Sequence, residues 1–304
     1  MDHYLQVFVT VAEKKNFSRA AEELHMTQPA VSQYIRTFED NFGVRLLERT
    51  NKYVRLNKAG EIVYHHAKQI VGLYTKMHHL VDDLANKASG TLSIGASYTF
   101  GEYIIPHIIA KMQSLYPSIQ PTVTIGNTSD IAQLTLNHQL DVGIVEGHIK
   151  TEKDLCIEEF TDDYMSVVAS PQHPLAIKHE VTIKDLEEQR WILREFGSGT
   201  REAAETVLKR FEISPTQIMS LGSTQPIKEA VEAGLGISLL SQWTIQKELR
   251  HGDLKILKLK GLPYVRKFSI VTTSSPFQTK ALQVFLDLLK HDKSLTTLND
   301  TEKE

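Results

Sequence analysis

The chain has 304 residues, 41% hydrophobic and 23% charged, a balance typical of a folded protein and far from disordered or collagenous compositions. No run approaches the ~18 apolar residues of a membrane span, the first residues lack the charge order of a secretory signal, and the single cysteine, Cys156, excludes a disulfide framework or a multi-cysteine zinc site. The reading is therefore cytoplasmic, with no membrane partner and no metal. The net charge of −3 gives no global sign of nucleic-acid binding, although residues 1–60 carry +2 and the remainder −5.

Residues 3–14 set Leu5, Phe8, Val9 and Ala12 on one helical face. Asn16-Phe17-Ser18 breaks that helix, and Ser18 is the expected N-cap of a second helix ending near Leu24. After a tight connection at His25-Met26, Thr27 caps a third helix with Pro29 in its first turn, where a missing N–H costs nothing. Val31, Ile35, Phe38 and Phe42 face inward along it, and Gly43 ends it. Ala20, Ala21 and Ala30 are small enough for two helices to cross steeply through a short turn. The spacing alone fits a generic helical bundle equally well. The outward face of the third helix favours a helix-turn-helix, because Gln28, Ser32, Gln33 and Arg36 suit base edges and phosphates.

Leu46-Leu47 and Val54-Arg55-Leu56 pair as a small wing around Asn51-Lys52, offering Arg49, Lys52 and Arg55 to phosphates. From 58 to 86 a long helix carries Val63, Ala67, Ile70, Tyr74, Met77, Val81 and Leu84 at alternating steps of four and three. Such a narrow seam is expected to meet a partner helix. His65-His66 and His78-His79 point ~100° apart within each pair and are read as surface. Ala88-Ser89-Gly90 breaks the helical pattern. Beyond it the segments TLSIGA, TVTIG, DVGIV, YMSVVAS, GISLLS and FSIVTT read as strands, alternating with helices near 102–115, 129–139, 201–211, 225–234 and 278–290. That alternation predicts α/β layers with largely parallel sheets.

The stretch FSRAAEELHMTQPAVSQYIRTFEDNFGVRLLERT, followed by the LNKAG step into a long helix, resembles the LysR-type transcriptional regulators. The resemblance extends to LDVGIVEG and EAGLGISLLSQW, and so covers the whole chain. It implies an all-α winged helix-turn-helix over 1–58, a linker and dimerisation helix over 59–89, and a two-lobed periplasmic-binding-protein-like α/β domain over 90–290. The first lobe would comprise 90–161 and 268–290, the second 162–267, with a flexible tail from 291 to 304. Implied partners are double-stranded promoter DNA, a small-molecule effector, RNA polymerase and further copies of the chain as a homodimer or homotetramer. No cofactor is implied.

In open α/β sheets ligands gather at the C-terminal strand ends beside helix N-termini. The fold expected from the family would bring Ser97, Thr99, Thr128, Ser198 and Thr200 to one cleft, where hydroxyls and free amides favour a small anion. Each hydroxyl alone reads first as an ordinary helix cap, and only their convergence on one cleft favours a site. Glu146 would oppose an anion unless it faces a ligand ammonium group or hydrogen-bonds Arg201, so a zwitterionic effector fits as well as an anionic one. IGASYTFGEYIIP is similar to the family branch that regulates sulfur assimilation and cysteine synthesis. Another small carboxylate of amino-acid or central metabolism is the alternative effector, and a ligand-independent DNA-binding protein the alternative class. Absence of GxSxG, Walker A or a strand-linked GxGxxG leaves catalysis unsupported.

Overall fold

The structure is a computed structural model and describes residues 3–50, 53–82, 88–149, 153–179, 181–275, 277–292 and 295. Lys52, Leu84 and nearly all of the tail beyond His291 lie outside the described residues. The chain divides into an N-terminal unit and a larger α/β unit.

The N-terminal unit contains α1 (His3–Lys14), α2 (Phe17–Glu23), α3 (Gln28–Phe42), β1 (Leu47–Arg49), β2 (Val54–Leu56) and α4 (Lys58–Asp82). Its core joins Phe8 and Val11 of α1, Ala20 and Ala21 of α2, and Val31, Ile35 and Phe38 of α3, with Leu46 and Leu47 beneath the wing. Ala20 and Ala21 sit buried where α2 meets its neighbours, as close crossing requires, whereas Ala30 is only half-buried. Thr27 caps α3 by accepting from the Ala30 amide, and Gly43 closes it at a φ of 67°. Two expectations are corrected. The N-cap of α2 is Asn16, whose carboxamide accepts from the Ser18 and Arg19 amides at 2.9 and 3.0 Å. Helix therefore begins at Phe17, and Ser18 is an exposed first-turn residue. Phe42 is 50% exposed and meets Phe38 only edge-on, because the last turn of α3 outruns the core.

In the second unit, β3 (Gly90–Ser97), β4 (Ile119–Gly126), β5 (Val142–Glu146), β6 (Leu155–Ala169), β9 (Ser238–Ser241), β10 (Lys255–Ile256) and β11 (Tyr264–Thr273) form one sheet. Its order is β10-β6-β11-β5-β3-β4, with β9 also on β6. A second small sheet pairs β7 (Arg190–Arg194) with β8 (Gln217–Leu221) in parallel, and Trp191 bridges to Ile237 beside β9. The helices are α5 (Tyr98–Tyr103), α6 (Ile105–Leu115), α7 (Thr128–Leu136), α8 (Ile183–Glu187), α9 (Gly199–Arg210), α10 (Thr224–Glu232), α11 (Gln242–His251) and α12 (Lys280–His291). The helix expected over 102–115 is two, broken at Ile104, where Pro106 opens α6.

The largely parallel expectation holds for β3 with β4 and β5, and for β7 with β8, but not elsewhere. The long strands β6 and β11 pair antiparallel over ten positions, and β9, β10 and β5 join that ribbon antiparallel as well. A chain that leaves one hydrophobic core and later returns to it does so along opposite directions, which makes the connecting ribbon antiparallel. The ribbon's register slips between Phe268 and Ser269, opposite Thr161 and Glu159. On one side lies the core of Ile94, Phe100, Ile144, Phe268 and Phe285; on the other lies that of Met165, Trp191, Val207 and Leu239.

Candidate functional site

In the N-terminal unit α3 presents Gln28, Gln33 and Arg36 to solvent, with Ser32 half-buried between them. Gln28 Nε2 donates to Ser32 Oγ at 2.9 Å, which fixes two polar tips one turn apart. Ser32, Gln33, Arg36, Arg45 and Arg49 line one open groove between this helix and the wing. Thr27 and Pro29 contribute to the helix start, and Ser18 lies exposed on α2.

The wing cations are not all free. Arg49 Nη2 donates to Glu39 Oε2 at 2.8 Å, and Arg55 Nε donates to Glu48 Oε2 at 2.7 Å. Arg55 remains 64% exposed, so a phosphate can compete for it. Arg49 has a structural duty besides any phosphate contact. Glu39 is 5% exposed and also accepts from the Leu46 and Leu47 amides at 2.8 and 3.1 Å. That carboxylate ties the wing to α3. Sequence reasoning passed over it because an acid in TFEDNF reads as surface. Arg36 and Arg45 make no ion pair among the described residues, and Arg45 joins the exposed cations that the sequence did not single out.

On α4 the expected seam divides. Val63 and Ala67 pack on the core of their own unit, so Val63 is corrected from a partner-facing to an internal residue. Further along, Ile70, Met77 and Val81 are 49%, 50% and 60% exposed, with Tyr74 half-buried beside them.

In the α/β unit all six expected cleft residues are buried: Ser97, Thr99, Thr128, Glu146, Ser198 and Thr200 are 1–5% exposed. Three of them, Thr99, Glu146 and Thr200, converge on a residue that the sequence did not flag, Arg266 of β11. Its Nε donates to Asp163 Oδ2 of β6 at 2.7 Å. Its Nη1 donates to Thr200 Oγ1 at 3.3 Å and its Nη2 to Thr99 Oγ1 at 3.4 Å. Nη2 also lies 3.6 Å from Glu146 Oε1. Asp163 is completely buried and accepts from Ser241 Oγ at 2.5 Å. Burial pushes its carboxyl above the usual range, and the Arg266 charge pulls the other way. Arg266 was missed because YVRKFSIVTT reads as a strand with an exposed charged end. Only the pairing of distant strands brings residues 163 and 266 together.

The hydroxyls have different duties. Ser97 Oγ donates to Glu146 Oε2 and makes no cap bond to α5. Thr128 Oγ1 donates to the Glu146 carbonyl at 2.7 Å and accepts from the Gly199 amide at 3.2 Å. Ser198 is an ordinary cap of α9, accepting from the Thr200 amide. The expected Glu146–Arg201 bond is corrected: Arg201 pairs with Glu205, donates to the Arg194 carbonyl and lies 4.1 Å over the Phe196 ring. Beside this knot a cavity of about 450 Å³ is lined by Thr128, Gln133, His148, Phe196, Ser198 and Arg201. A smaller one of about 270 Å³ reaches Arg266 past Gly147, His148 and Gly199. Such volumes suit a small metabolite.

The model of the bacterial regulatory helix-turn-helix protein, lysR family, matches residues 3–61, and that of the LysR substrate binding domain matches residues 85–293. The HTH-type transcriptional regulator CysL of Bacillus subtilis (strain 168) is 39% identical over 286 residues, 94% of this chain and 95% of the relative. A full-length OxyR variant of Pseudomonas aeruginosa aligns with a TM-score of 0.72 at 25% identity, covering 97% of this chain and 96% of that one. The CcmR regulatory domain of Synechocystis PCC6803, solved in complex with 2-PG, aligns with a TM-score of 0.61 at 32% identity, covering 66% of this chain and 96% of that domain. The reading helix, the wing, the buried cleft and these similarities agree: the chain belongs to the LysR family of DNA-binding transcriptional regulators.

Proposed function

We propose that this regulator reads promoter DNA through Gln28, Ser32, Gln33 and Arg36 and responds to a small anionic or zwitterionic metabolite of sulfur metabolism. The carrying observation is the convergence of Thr99, Glu146 and Thr200 on the Arg266 guanidinium, between two hydrophobic cores. Mixed charge in a buried site matches a ligand that carries both signs. The 39% identity to CysL supports the sulfur assignment, as its name marks a cysteine-linked regulator. A second reading, an acidic effector of carbon metabolism, is favoured by the 2-PG bound to the CcmR domain.

The proposed division is a DNA-binding domain over 1–58, a linker helix over 59–89 and an effector domain whose lobes are 90–161 with 268–290, and 162–267. The exposed stripe of Ile70, Tyr74, Met77 and Val81 is the proposed contact with a second copy, and the tetramer follows as a pair of such dimers. A cytoplasmic location and contact with RNA polymerase complete the reading.

A gel-shift titration of the full-length protein on its operator tests it, with and without O-acetylserine, sulfate and 2-PG. The expected result is sequence-specific binding whose footprint changes with the sulfur compounds. Response only to 2-PG would move the regulator to the second reading, and binding indifferent to every compound would leave a ligand-independent DNA-binding protein. Thr99→Ala and Thr200→Ala should keep operator affinity and blunt the response.

A further inference from the structure

Arg266 is held unequally. Asp163 grips Nε at 2.7 Å and is itself fixed by Ser241, whereas the two terminal nitrogens have only contacts of 3.3–3.6 Å to Thr200, Thr99 and Glu146. A guanidinium carries five N–H donors, four of them on those nitrogens. Within the cleft it is thus anchored on one edge and under-used on the edge that both hydroxyls face. The side chain is 4% exposed, and it borders the 270 Å³ cavity beside Gly147 and Gly199.

We propose that Arg266 is the anion-capturing residue of the effector cleft. An effector carboxylate, or another oxyanion, takes the Nη1–Nη2 edge as a bidentate partner in place of the long contacts to Glu146, Thr99 and Thr200. Asp163 keeps Nε and acts as the positioning residue. Displaced from Arg266, Glu146 keeps its bond from Ser97 and turns its charge to the ligand's ammonium group. The class selected is a small zwitterion with an oxyanion and an ammonium a few bonds apart, as in an α-amino acid. This inference rests on the effector reading above, and the experiment separates the two.

Calorimetric titration of the full-length protein uses O-acetyl-L-serine as the zwitterion and inorganic sulfate as the plain oxyanion. R266K keeps the charge but lacks the planar fork, and should weaken the zwitterion by about tenfold or more. The double variant D163N with R266Q removes the Asp163 charge together with its partner, leaves Glu146 its bond from Ser97, and should abolish binding of both probes, with folding checked by circular dichroism. E146Q, which removes the ammonium's partner and the repulsion on anions together, should shift the affinity ratio toward sulfate by about tenfold. Wild-type-like binding by R266K and the double variant, or an unchanged ratio in E146Q, overturns the assignment of Arg266. Failure of the wild type to bind either probe overturns the sulfur-effector reading beneath it.

Discussion

A buried carboxylate carries much of the residue-scale logic, and it is not where a surface pattern would place an acid. Glu39 satisfies the Leu46 and Leu47 amides and pairs with Arg49. Replacing it by alanine leaves two buried N–H groups unpaired, at a cost of about 2–4 kcal/mol. Arg49, already one-third exposed, rehydrates. The expected outcome of Glu39→Ala is fast hydrogen exchange at the Leu46 and Leu47 amides together with weaker operator binding. Native protection at both amides would show that the clamp is dispensable. At the reading surface, Arg36→Ala should weaken binding by about 1–3 kcal/mol if it meets a base edge. A phosphate contact would instead lower affinity evenly over all sequences and reduce the salt slope by about one. The residues pointing outward from α3 were legible from sequence because helical spacing alone fixes their face. Glu39 and Arg266 were not, since their roles depend on partners brought close only by folding.

Elements tell a similar story. Helix starts at Thr27 and Ser198 and the stop at Gly43 were legible because capping is local chemistry. The start of α2 was misplaced by two residues, as Asn16 and Ser18 are both good caps and the sequence does not rank them. Strand β8 escaped notice because it is only five residues long and the adjacent Ile218 and Met219 break the polar–apolar alternation by which a half-buried strand is read. The antiparallel ribbon of β6 and β11 was hidden for another reason, pairing partners about a hundred residues apart. Two expected outcomes belong here. Met77→Glu with Val81→Glu places charges on the exposed stripe of α4 and should lower the assembly by one step in sedimentation, with helix content unchanged. His173 caps the short turn Pro174–Ile177 by accepting from the Leu175 amide through Nδ1. Burial lowers its pKa, outweighing a hydrogen bond with Gln189 that works the other way. The folded state thus binds fewer protons than the unfolded one, and stability falls as pH drops from about 6.5 toward the lower folded value. Both tryptophans lie in the α/β unit, so fluorescence melts between pH 7.5 and 5.5 follow this unit alone. His173→Asn keeps an acceptor without a titrating ring and should flatten the slope; an identical slope would put its origin elsewhere.

At the scale of the whole molecule the requirement is that ligand capture change the shape of the α/β unit, and at Gly199 the backbones of α9 and β5 approach with no room for a side chain. Gly199 opens α9, its amide donates to Thr128, and a Cβ there would lie 1.9 Å from the Glu146 carbonyl oxygen. That oxygen also accepts from Thr128, so the end of β5, the start of α7 and the start of α9 meet at one backbone contact. A methyl group would have to push α9 away from β5, because the obstacle is backbone and cannot rotate aside. Gly199→Ala should therefore hold the halves apart by the width of a methyl group, lengthening the Arg266–Thr200 contact while leaving Arg266–Asp163 intact. Operator affinity without effector should stay near wild type, since α3 and the wing are untouched, and the effector-dependent change in the footprint should be lost. A full response in this variant would show that closure over Gly199 is not how the cleft signals.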